Sequence, residues 1–489
     1  MVKNNSIVGA DETAGVASTP AAFAPVVRRA MGGWRLLLAI FGPISAAGAL
    51  IVLAATMAPR PADALPSFAR QTGQPCAACH TAFPELTPFG RRFKLGGYTL
   101  GGGDTKSPHV AAMILPTFTH TTAKQDAPPT DHTRTNDNTI LQQASIFYGG
   151  QIYGNLGAFV QGTYDRASNR FFLDNTDIRY ADTAKLGGMD VLYGLTVNNT
   201  PTVQDVWNTT TAWGFPEVGS TLAPQFKPPG TLIEGGFAGQ VVGAGVYTFW
   251  NDMLYAEVTG YRGLSVAALS SLGEPDPSLT NGLPNIAPYW RLAIEPTFGE
   301  HSIEIGTFGM MANVYPGRDS SMGTDRITDF GFDSQYQYNG DKNSFTVKVT
   351  DIIEQQHLGA TFALGNSSNI NDRLNSFKLS GSWVYDHTYS LSAGMFDVAG
   401  TADATLYGGG GAPGSVMALG KPNGRGLLFD AAYLPFSHGG PALWPWANAR
   451  IGVSYTHYLK LYGGNRNFDG MGHSATGNDT LFLYSWIAF

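Results

Sequence analysis

Cys76 and Cys79 are the only cysteines among 489 residues, and His80 follows the second directly. Two thiols three positions apart, with an imidazole next in line, have the spacing of a c-type haem attachment site. The thiols would form thioethers with the two haem vinyl groups while the imidazole reaches the iron. On a helix, positions i, i+3 and i+4 share a face, so the spacing predicts all three groups on one side of a short helix. A disulfide across two intervening residues would constrain little chain, and a dithiol enzyme would set the pair in a βαβ context that is absent around it. The expected chemistry is therefore one covalently attached haem c, held by Cys76 and Cys79, with His80 as proximal iron ligand.

Such an iron needs a sixth ligand, and the next candidates downstream are His109, Met113, His120 and His132. Met113, in "SPHVAAMILPTF", is the expected distal ligand, because a thioether stabilises ferrous iron and raises the potential, which suits acceptance of electrons from a weak reductant. His109 is the alternative. No residue is assigned a catalytic role. Loop acids such as Asp205, Glu217, Asp276, Asp319 and Asp325 could offer oxygen ligands to a hard cation, but their ordinary state is solvated.

The elements that must position this motif look unlike a soluble redox protein. Charged residues are 14% of the chain, aromatics 12%, and there are 61 glycines, with the apolar residues diluted by Ser, Thr, Asn and Gln. That is neither a disordered chain nor a helical membrane protein. Arg28, Arg29 and Arg35 precede an apolar run from Leu36 to Ala58, and Ala62 and Ala64 offer a small-residue cleavage site, so residues 1–64 read as an export signal. The remainder carries 25 basic and 34 acidic residues without a basic cluster. That balance excludes nucleic acid as a partner, since phosphate binding needs a basic footprint.

From about residue 109 onward, apolar and polar residues alternate in pieces of roughly ten, the pattern of membrane β-barrel strands. In "DFGFDSQYQYNGDKNSFTVKVTD", Phe330, Phe332, Tyr336 and Tyr338 alternate with Gly331, Asp333, Gln335 and Gln337. Asn251-Asp252 and Asp386-His387 mark two-residue hairpin tips. Long Gly/Pro/Asn-rich connections fall near 121–137, 200–230, 263–287, 314–326, 354–373, 399–424 and 462–479, with a shorter one near 167–171. They alternate with tight turns, as they must when turns and loops lie on opposite sides of a membrane. The count gives sixteen strands, ending on Phe489. Residues 435–448 are long for a turn on the tight side.

"LPSFARQTGQPCAACH" and "FPELTPFGRRFKLGGY", followed by such a barrel, resemble the monohaem cytochrome-porin fusion family, the outer-membrane Fe(II) oxidases of iron-oxidising bacteria. The resemblance implies a single haem that takes electrons from Fe(II) at the cell surface and hands them to a periplasmic cytochrome or copper protein. The expected architecture is all-β. Residues 106–489 form a 16-stranded porin-like antiparallel barrel among the lipids of the bacterial outer membrane, and residues 65–105 form a small helical haem domain plugging its lumen. About forty residues are too few for a core of their own. "GGGD", residues 101–104, is the expected hinge, and Arg70, Arg91, Arg92 and Lys94 are expected to meet haem propionates or lumenal carboxylates. The alternative function is a diffusion porin with a tethered periplasmic haem carrier or sensor.

Overall fold

A computed structural model describes residues 65–104, 106–274, 276–408, 419–439 and 445–489; the expected export signal lies outside these residues. Among the described residues three short helices come first: α1 (Pro66–Thr72), α2 (Cys76–Cys79) and α3 (Pro88–Leu95). Proline at the first turn starts α1 and α3, where no intrahelical N–H is lost. Gly73, at φ 67°, ends α1 in the left-handed conformation that glycine adopts without strain. The Thr87 hydroxyl accepts from the Gly90 amide and caps α3.

Sixteen strands follow among the described residues. The first eight are β1 (Val110–Thr121), β2 (Asn138–Tyr153), β3 (Leu156–Asp165), β4 (Arg170–Leu186), β5 (Met189–Asn198), β6 (Val241–Trp250), β7 (Leu254–Gly263) and β8 (Ala287–Ile294). β8 breaks at Pro296, which has no amide to donate, and resumes over Thr297–Phe298 against the same neighbour. The second eight are β9 (His301–Val314), β10 (Asp325–Asn339), β11 (Asn343–His357), β12 (Asn371–Tyr385), β13 (Tyr389–Gly400), β14 (Gly424–Tyr433), β15 (Asn448–Lys460) and β16 (Thr480–Ala488). Each pairs antiparallel with its sequence neighbours, and β1 pairs with β16, Met113 opposite Ala488 and Thr121 opposite Thr480, so the sheet closes.

The alternation read from the sequence sets the two faces. Phe330, Phe332 and Tyr336 are exposed on the outside of β10, whereas Asp333, Gln335 and Gln337 are buried in the lumen. The tips Asn251-Asp252 and Asp386-His387 have positive φ at both positions, between 45° and 51°, as a two-residue type I′ turn requires.

Two expectations are corrected. The connection 199–240 folds into the lumen instead of standing outside, because its apolar members Val203, Val206 and Trp207 are almost completely buried there. Of the stretch that reads as long for a tight turn, the described residues on either side touch the N-terminal helices: the Ser437 carbonyl accepts from the Ala77 amide at 3.2 Å, and the Arg70 guanidinium lies 4.4 Å above the Trp446 ring. Finally, 101–104 is tied down, with the Gly103 and Asp104 amides donating to the Gln71 and Arg70 carbonyls at 2.9 and 2.7 Å. A Cβ on Gly103 would lie 2.2 Å from the Arg70 oxygen, so that approach requires glycine.

Candidate functional site

The Cys-x-x-Cys-His stretch sits inside the barrel at its tight-turn end. α2 contains both cysteines but stops at Cys79; His80 is extended (φ −132°, ψ 135°), with its amide donating to the Cys76 carbonyl at 2.8 Å. His80 is therefore past the helix end rather than on its face, which corrects the single-helix expectation. Its position is fixed from the other side: Nδ1 lies 3.1 Å from the Pro84 carbonyl. A proton on Nδ1 donates there, leaving the Nε2 lone pair available, the arrangement that orients an imidazole for a metal. Burial pushes the His80 pKa down to about 4, so the ring is neutral near pH 7. α3 crosses so close to α2 that a Cβ on Gly90 would lie 2.2 Å from the Cys79 carbonyl oxygen.

A cavity of about 390 Å³ opens beside this motif. Cys79 and His80 line it from the N-terminal segment, Met113 and Phe147 from the wall, and Trp213 and Val218 from the inward-folded connection. Cys76 is buried one turn back and is not part of the lining. Met113 is in the lining because the lumen face of β1 is apolar here: Ala111, Met113 and Leu115 are buried, and the face becomes polar at Thr117. The other distal-ligand candidates are elsewhere. His109 lies at the foot of β1, its ring 6.2 Å from Tyr148; His120 contacts Asp137 at 2.6 Å near the long loops; His132 is exposed in the loop after β1.

The lining has part of what a c-type haem would require, Cys79 and His80, with Cys76 outside it. The volume is that of a cofactor pocket, largely apolar. A thiol, a neutral imidazole and a thioether are all in the lining, and Gln142, Gln161, Asn175, Asn208 and Lys94 supply polar groups. Burial brings the Lys94 ammonium down to about 8, while the Val203 and Asp205 carbonyls accept from it at 2.5 and 3.0 Å.

Buried ionic contacts hold the segment in place. Arg91, 1% exposed, binds Glu295 through Nε at 3.0 Å and through a second nitrogen, and also donates to the Leu86 carbonyl at 2.7 Å and Gln337 at 3.2 Å. Glu85 accepts from Lys348 at 2.9 Å, Thr346 at 2.5 Å and Thr81 at 2.8 Å. Burial would raise the Glu85 carboxyl, but Lys348 and these hydroxyls hold it below its ordinary range. Of the four cations singled out in the sequence, Arg91 meets a lumenal carboxylate, Arg92 meets the half-exposed Asp252, and Arg70 and Lys94 meet backbone carbonyls.

The loop acids divide. Asp205 is buried, accepting from the Trp207, Thr209 and Thr210 amides; Glu217 contacts Arg450 at 3.2 Å; Asp325 accepts from the Ala360 and Thr361 amides. Only Asp276 and Asp319 of the five are exposed. Sequence reasoning missed Trp213, Val218 and Glu217 as cavity residues. The signal was an aromatic-rich stretch, "VWNTTTAWGF", in what read as a solvated loop.

A closed ring with apolar side chains outward satisfies every ladder hydrogen bond within hydrocarbon, which only closed barrels and helices achieve. The chain is a porin-like β-barrel of the bacterial outer membrane. No family model and no curated protein matches it. Solved structures similar to it include OmpT, an outer membrane protein of Vibrio cholerae (11% identity, 79% of this chain and 99% of that one, TM-score 0.40). Others are the outer membrane channel DcaP of Acinetobacter baumannii (10%, 80% and 100%, TM-score 0.39) and Salmonella typhi OmpF in complex with daunomycin (12%, 78% and 97%, TM-score 0.41).

Proposed function

We propose that this barrel carries one c-type haem and passes electrons from Fe(II) at the cell surface to a periplasmic carrier, a cytochrome or copper protein. The observation that carries the reading is that His80, fixed through Nδ1 by Pro84, and Met113, on the barrel wall, line one cavity with Cys79. Cys76 and Cys79 would hold the haem covalently, with His80 and Met113 as iron ligands. The bound haem would supply reversible one-electron chemistry at a potential raised by the thioether.

The chain's own residues do the rest. The Pro84 carbonyl sets the imidazole tautomer, and Phe83 packs edge-on against both His80 at 5.4 Å and Trp486 at 4.7 Å. The Arg91–Glu295 and Glu85–Lys348 pairs seal the N-terminal segment into the wall. Iron then stays outside while charge crosses, which keeps insoluble ferric product out of the periplasm.

The diffusion-porin reading shares the barrel and needs an aqueous path past the N-terminal segment. Intact mass after denaturation tests the cofactor. A covalent haem adduct, lost in Cys76→Ser/Cys79→Ser, is expected; an unmodified chain from cells competent in cytochrome maturation would overturn the proposal.

A further inference from the structure

The inward-folded connection separates two chambers. The inner one contains the haem motif. The outer one, also about 390 Å³, lies toward the long loops, and Val218 and Gly219 line both. Its walls are mostly apolar, with Phe215, Phe396 and Phe482 among them, and its lining sets two cations, Lys227 and Lys378, against one carboxylate, Glu234. Glu234 is already satisfied. One of its oxygens accepts from Lys378, and the other accepts from the Thr231 amide and hydroxyl, each at 3.2 Å. Lys227 is different: no carboxylate pairs with it among the described residues. Its backbone is nonetheless fixed. The Lys227 carbonyl accepts from the Tyr462 hydroxyl at 2.7 Å, Phe226 packs edge-on against Phe468 at 5.2 Å, and Gln225 donates to Asp126 at 2.6 Å. Pro224, Pro228 and Pro229 stiffen the same stretch.

We infer that the outer chamber is a binding site for a small organic monoanion with an apolar body, of the aromatic carboxylate class. The site stands apart from electron transfer, because it lies across the partition from the haem motif. Volume, charge and wall chemistry select the occupant. A chamber of about 390 Å³ is the size of a small-molecule pocket and excludes a macromolecule. With Glu234 neutralised by Lys378, the one uncompensated charge in the lining is that of Lys227, exposed at the rim. A cation is repelled there, whereas one carboxylate cancels the charge through a charge-assisted hydrogen bond. Low-dielectric walls strengthen that attraction. The three phenylalanines, with Val398 and Leu428, give an apolar body surface to bury, from which a bare inorganic anion gains nothing.

The test is equilibrium dialysis of radiolabelled benzoate against the purified full-length barrel in detergent at low ionic strength, with benzamide as the neutral isostere. Saturable benzoate binding is expected, and Lys227→Met should weaken it by about tenfold or more, the worth of a hydrogen bond to a charged group. Benzamide should bind more weakly by a similar factor. Lys227→Arg, which keeps the charge, and Lys185→Met, which removes an exposed cation from the tip between β4 and β5, should retain the wild-type affinity. Heat-modifiable gel mobility establishes that each variant is a folded barrel. Several results would overturn the inference: no saturable binding, benzamide bound as tightly as benzoate, or Lys227→Met at wild-type affinity. Equal loss in Lys227→Met and Lys227→Arg, or a loss in Lys185→Met, would do the same. Competition by inorganic phosphate as strong as that by unlabelled benzoate would show a site for simple anions and overturn it too.

Discussion

Replacing Arg91 by methionine should loosen the N-terminal segment from the barrel without unfolding the barrel. Arg91 is 1% exposed and Glu295 3%, and once the guanidinium is removed Glu295 keeps one contact, the Trp207 indole N–H at 2.8 Å. The Leu86 carbonyl also loses a donor at 2.7 Å. Removing one partner of a buried ion pair costs about 3–5 kcal/mol, because a desolvated charge is left behind. At 1.4 kcal/mol per decade that raises the undocked fraction by about two to three and a half orders of magnitude. The sixteen-strand ladder is untouched, so heat-modifiable gel mobility should stay that of a folded barrel. Protease cleavage between residues 65 and 104, and ion conductance in planar bilayers, should both rise. Arg91→Met/Glu295→Met should restore most of the protection, since an apolar pair of similar volume replaces a buried ion pair at little or no cost. Wild-type protection in the single variant, or no recovery in the double, would refute the assignment of this pair as the anchor.

Other outcomes follow from the same geometry. Gly90→Ala should push α3 off the Cys79 carbonyl, an overpacking cost of about 1–3 kcal/mol, and lower the yield of covalent haem per folded barrel in purified protein. Met113→His should lower the haem reduction potential in a redox titration, while an unchanged potential and spectrum would remove Met113 from the iron. At the outer loops, His473 binds Asp469 through Nδ1 and Asp126 through Nε2 at 3.1 Å, bridging the loops after β1 and β15. The hydrogen bond to Asp469 raises the His473 pKa, so its stabilisation is full below the unfolded value of about 6.5 and is lost as pH rises through the higher folded value. Hydrogen exchange over residues 122–137, corrected for intrinsic rate, should therefore accelerate above that pH in wild type and be insensitive to it in His473→Gln.

The barrel was legible because its physics is local. Lipid and lumen impose a period of two, so Phe330, Phe332 and Tyr336 declare one face and Gln335 and Gln337 the other, while Asn251-Asp252 and Asp386-His387 mark tips by tolerating positive φ. The site was legible only in part. The Cys-x-x-Cys-His spacing named Cys76, Cys79 and His80, but His80 leaves α2 with its ring held by the Pro84 carbonyl four residues on. The inward fold of 199–240 depends on pairs such as Asp205 with Arg291, 86 positions apart in the chain, which no spacing rule reaches. One clue lay within reach. The lumen faces of β1 and β16 carry Ala111, Met113 and Leu115 and Phe482, Tyr484 and Trp486, apolar where a porin lumen is polar, and that reversal marks the cavity.

Under the proposed function electrons cross this barrel and iron does not. The most direct measurement places haem-loaded protein in sealed liposomes, with its long-loop side outward and a ferric cytochrome trapped inside, and adds Fe(II) to the exterior. The account predicts reduction of the trapped cytochrome with no iron found inside and no stepwise ion conductance. A trapped cytochrome that stays ferric, or one reduced only as iron enters, would contradict it.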